Sequence, residues 1–81
     1  MHAHAPAKYL VLIEAAGPML ARLFDARRTH LADIDASSEE VAVMTSGVTP
    51  QRGAASPEWG LALQGHSQAE REAALVFTLD P

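Results

Sequence analysis

Histidines, carboxylates and hydroxyls are the groups in this chain able to move protons, hold metals or attack a carbonyl carbon, and their spacing decides which of these they can do. His2 and His4 alternate beside the amino terminus, a nitrogen set that suits Cu(II) or Ni(II) in tetragonal geometry. No acidic or cysteine ligand follows to make such a site selective, so the expectation is an unstructured segment over residues 1–7 and no bound metal. His30 and His66 stand apart, outside His-x-x-x-His spacing. His66 adjoins Ser67, but Ser67 with Glu70 three residues later spells a helix cap, and sequence neighbours seldom point at one another. No Gly-x-Ser-x-Gly elbow supports a serine nucleophile, so no catalytic residue is assigned.

Asp33 and Asp35 share one face if their segment is a strand, and His30 with Arg22 or Arg28 can converge on them. Such a polar cluster suits a small ligand, Mg²⁺ or acid–base work; the simpler reading is a solvated strand edge. Glu39 and Glu40 instead match the positive end of a helix. The candidate binding residues are Arg52 and Trp59: a guanidinium offers a bidentate fork and an indole a large anchor, both enriched at binding hot spots. The competing reading makes Trp59 a core residue. The glycines fall into neither Gly-x-Gly-x-x-Gly nor Walker spacing, so no nucleotide and no other cofactor is expected.

These groups need a scaffold, and 81 residues permit one, since a chain this short buries only about 60% of its unfolded surface. Hydrophobic residues make up 48% and charged residues 20%, the balance of a folding domain. The net charge of −4 with scattered basic residues disfavours nucleic acid. The absence of cysteine fits a reducing compartment, and the cytoplasm is the expected location. The longest apolar run, Tyr9–Ile13, is far below the roughly 20 residues that cross a bilayer, and no leader pattern precedes it.

The predicted class is α+β: an N-terminal antiparallel hairpin or small meander, then two or three short helices, within one domain over 8–81. Tyr9–Ile13 is apolar on both pleat faces and reads as a central or doubly covered strand. Ala15–Pro18 is a turn signal. Met19–Ile34 fits either a helical stripe or further strands; the Arg27–Arg28 pair would break the stripe, which favours a second strand and a short third one near Leu31–Ile34. Ser37 with Glu40 predicts a capped helix over Ser38–Ser46, closed by Gly47. Val48–Ser56, with Pro50 and Gly53, reads as an exposed mobile loop. Ser56–Pro57 opens a further helix ending at Gly65, although Trp59, Leu61 and Leu63 alternate as a strand would, and the Ser67–Glu70 box opens one from Gln68 to about Phe77, with a strand at Leu75–Leu79 as the alternative.

Tyr-Leu-Val-Leu-Ile-Glu (Tyr9–Glu14) followed by Ala-Arg-Leu-Phe-Asp-Ala (Ala21–Ala26) resembles the first hairpin of bacterial proteins related to the release-factor middle domain. The resemblance spans roughly a quarter of the chain and rests on core-forming residues. It implies a hairpin and a ribosome-associated role. Peptide-releasing members carry a Gly-Gly-Gln loop that is missing here, so no catalytic residue carries over.

Together these readings point to a non-enzymatic interaction or regulatory module. Its partner would be another protein or its own copy, met by an apolar face that a thin core leaves uncovered. The rival is a ligand-binding or enzymatic domain built on Arg22, His30, Asp33 and Asp35.

Overall fold

A computed structural model describes residues 7–14 and 19–80. The chain runs β1 (Lys8–Ile13), β2 (Leu20–Phe24), β3 (His30–Asp35), α1 (Glu39–Thr45), β4 (Gln51–Arg52), a 3-10 turn (Pro57–Trp59), α2 (Gln68–Ala73) and β5 (Leu75–Leu79). The strands form one five-stranded sheet in the order β3-β2-β1-β5-β4, antiparallel at every pairing. No helix among the described residues is long and apolar enough to cross a membrane.

The middle position of β1 follows from its sequence. Val11 and Ile13, with Tyr9, enter one hydrophobic cluster, while Leu10, with Leu12, enters the other. A strand apolar on alternate residues in both directions is stable only when both faces are covered. The link from β3 to β4 carries α1 from one edge of the sheet to the other, and Val41 and Met44 cover the Leu10 face. The link from β4 to β5 covers the opposite face with Ala54, Trp59, Leu63 and Ala74.

The class α+β and the opening meander are as the sequence predicts, but the helix count is lower, with two α-helices and one 3-10 turn. The helix expected to reach about Phe77 stops at Ala73, because Leu75–Leu79 forms β5. Tertiary pairing decides this: β1 has backbone groups to satisfy on the side away from β2, and β5 pairs with it from Lys8↔Leu79 to Leu12↔Leu75. The stretch after Pro57 keeps one α-type turn, in which the Leu63 amide donates to the Trp59 carbonyl at 3.0 Å, and this lets both side chains enter the core. Val48–Ser56 is no simple exposed loop either, since it contains β4 and the fully buried Ala54. The turn expected at Ala15–Pro18, and His2 and His4, lie outside the described residues.

The caps show which local signal prevails. Ser38, rather than Ser37, caps α1, its hydroxyl accepting from the Val41 amide at 3.3 Å. The Asp35 carboxylate claims Ser37, accepting from its amide at 2.9 Å and its hydroxyl at 2.8 Å. A charged acceptor two residues upstream outcompetes a neutral capping role, and these bonds hold the Asp35 carboxyl below its usual pKa. At α2 the box forms as predicted: Ser67 Oγ accepts from the Glu70 amide at 3.1 Å, and Glu70 Oε1 accepts from the Ser67 amide at 2.9 Å.

The Ser67 amide, ahead of His66, lowers the Glu70 pKa. A carboxyl whose folded pKa is depressed contributes stability that is present above its unfolded pKa and is lost as pH falls through the folded one. Ser67→Ala removes the hydroxyl that caps the Glu70 amide and is expected to cost about 1 kcal/mol by denaturant unfolding. Glu70→Gln should flatten the loss of stability seen as pH falls below the ordinary glutamate range, relative to wild type; identical pH profiles would contradict the cap.

Candidate ligand-binding cleft

The cleft begins with the tight connection between β2 and β3. Asp25 organises it: the Arg28 amide donates to the Asp25 carbonyl at 2.9 Å, the Asp25 amide donates to the Thr29 carbonyl at 3.0 Å, and Asp25 Oδ1 accepts from the Arg27 and Thr29 amides, each at 2.9 Å. This geometry ends in a residue with left-handed backbone, a place normally given to glycine or asparagine. Arg28 occupies it with φ of 63°, the one non-glycine among the described residues at positive φ. Backbone strain of about 1–2 kcal/mol accompanies a side chain there.

That side chain meets the aromatic core. The Arg28 guanidinium carbon lies 5.0 Å from the Tyr9 ring centre and 4.9 Å from that of Trp59, within cation–π range. Trp59 meets Tyr9 edge-on at 5.3 Å and Phe24 edge-on at 5.3 Å, a preferred aromatic arrangement. Arg28 Nη2 stands 3.5 Å from Glu58 Oε1, whereas Arg28 Nε is buried with no hydrogen-bond partner.

Beside this stack is a cavity of about 220 Å³ lined by Tyr9, Arg28, Arg52, Glu58, Trp59 and Thr78, among others. The two sequence candidates thus border one space. Trp59 does so as a core residue, only 3% exposed, and not as a projecting anchor. Arg52 is exposed on the edge strand β4 and makes no ion pair among the described residues. No family model, curated protein or solved structure matches this chain. Its functional reading therefore rests on geometry.

The polar cluster is brought together only in part. Asp33 Oδ1 lies 2.7 Å from His30 Nε2 and 3.2 Å from Arg22 Nε, the latter close enough for charge attraction but out of line for a hydrogen bond. Asp35 is turned to Ser37 and borders a separate cavity of about 240 Å³ with Met19 and Ala36. Ser67 is committed to its cap. Among the described residues no group of three or more His, Cys, Asp or Glu is placed to hold a metal. Tyr9, Arg28 and Glu58 were not singled out for this cleft by sequence reasoning; the usable signal was the turn Asp25–Thr29, which lacks a glycine where its geometry wants one.

If the Arg28 side chain is what holds this position, removing it and relieving the backbone are separable. Arg28→Ala loses the ring contacts and keeps the strain, while Arg28→Gly loses the contacts and relieves it. Arg28→Ala should be the less stable variant by about 1 kcal/mol in denaturant unfolding; equal stabilities would contradict the strain.

Proposed function

We propose that the chain is a small, non-enzymatic binding module that recognises another protein, or a second copy of itself, at the cleft between Arg28 and Arg52. The observation that carries this reading is an arginine at a left-handed backbone position, its side chain lying on two aromatic rings at the border of a cavity. Strained residues persist where their side chains serve the site. The charged groups bordering the cavity are suited to binding: Glu58 faces Arg28, and Arg52 has a fork with no ion-pair partner among the described residues. This reading takes the charged lining of the cavity as the contact surface, in place of the uncovered apolar face expected from composition.

A second reading, ligand binding or catalysis at Arg22, His30, Asp33 and Asp35, is favoured by the 2.7 Å contact of His30 with Asp33. It is weakened because Arg22 and His30 both converge on Asp33 and Asp35 is engaged by Ser37. The resemblance of the first hairpin to proteins related to the release-factor middle domain is a proposal of kinship. It would place the partner on or near the ribosome, in the cytoplasm.

The test is capture from native soluble lysate with tagged wild type and Arg52→Glu side by side, with masses in solution measured by light scattering. A stoichiometric partner or discrete oligomer present with wild type and lost with Arg52→Glu is the expected result. Equal capture by both, or a monomer that retains nothing, would overturn the assignment.

A further inference from the structure

Resting on that reading, we infer that the cleft takes a single carboxylate, presented by an acidic side chain of the partner protein and gripped by Arg52 beside the Arg28–Trp59 stack. Charge comes first. Two guanidiniums against the one carboxylate of Glu58 leave the cleft with one positive charge, within a chain whose net charge is −4. A monoanion neutralises it, whereas a phosphate dianion would overshoot. The donors agree with this. Arg28 is held by Tyr9, Trp59 and Glu58 and cannot swing out without giving up those contacts. Arg52 has its fork unpaired among the described residues, and planar bidentate pairing with a carboxylate is what that fork does best.

Access to the cavity points to a protein-borne source. A volume of about 220 Å³ is below the roughly 300 Å³ at which pockets for whole drug-sized ligands begin. The space takes the end of an acidic side chain, and access decides where that side chain comes from. The Arg52 backbone sits on the edge strand, paired to Leu75 of β5 on one side, so an approaching chain can bring an acidic residue to the guanidinium without displacing any strand. Contacts outside the cavity would then supply most of the affinity and the choice of partner.

Trp59 is the chain's one tryptophan, so its fluorescence reports on the cleft directly. The experiment titrates the full chain with the blocked tripeptide acetyl-Ala-Glu-Ala-amide, its Gln counterpart, and free propionate. The Glu peptide should give a saturable change that weakens in high salt. The Gln peptide should bind at least about tenfold more weakly, since it loses the charge-assisted pairing. Arg52→Gln should lose at least about tenfold for the Glu peptide, with an unchanged circular dichroism spectrum. Equal binding of the Glu and Gln peptides, no saturable change, or unchanged affinity in Arg52→Gln would overturn the carboxylate assignment. Free propionate, a monoanion with the same end group, binding as tightly as the peptide or tighter would overturn the protein-borne source. Should Arg52→Gln fail to fold, the wild-type Glu-against-Gln comparison decides alone. If the peptides fail while Arg52→Glu still loses the captured partner, this inference falls and the binding-module reading stands.

Discussion

The fold depends on how Trp59 is held. Between Gly53 and Ser67 the chain has one 3-10 turn and otherwise only turns, so backbone ladders cannot fasten it to the sheet. Side chains must do so, and Trp59 is the largest of them. Its ring meets Tyr9 of β1 and Phe24 of β2 edge-on and carries the Arg28 guanidinium, so one residue fastens an irregular segment to two strands and a turn. Burying an aromatic side chain of this size contributes more than any helix cap in so small a domain. The same ring borders the cleft, so the contact that closes the core also shapes the candidate site.

Around it, β1 organises the rest. Placed at the middle of the sheet, it needs a partner on each edge and cover on each face, while β3 and β4 extend the sheet beyond its two partners. β2 and β5 satisfy its backbone; α1 lies over the face of Leu10, and the β4–β5 link over the face of Val11 and Ile13. This demand was legible in the sequence because Tyr9–Ile13 is apolar at consecutive positions. The strand character of Leu75–Leu79 was less legible. A capping box fixes where a helix starts and leaves its end open, and long-range pairing ended α2 earlier than local spacing suggested. β4, only two residues long and preceded by Pro50, carries almost no local signal.

The candidate site divides in the same way. Arg52 and Trp59 stood out by residue type, and they border one cavity, but type alone could not show that Trp59 faces inward while Arg52 remains exposed. Arg28 was grouped with the carboxylates of β3 because charge suggests ion pairing. The turn at Asp25 instead sends its guanidinium across the sheet to two aromatic rings and Glu58. Asp35 fell out of the predicted cluster for a local reason, its bonds to Ser37. Sequence spacing reports periodic elements well; it reports poorly where a left-handed residue aims its side chain.

The most direct measurement of this account is the proton NMR spectrum of the Arg28 side chain. A guanidinium stacked on Tyr9 and Trp59 lies in the shielding cones of both rings, so the Arg28 side-chain protons should resonate upfield of ordinary arginine values and show nuclear Overhauser contacts to both rings. Arginine shifts at their exposed values, with no contact to either ring, would contradict the stack on which the core, the cleft and the proposed recognition all rest.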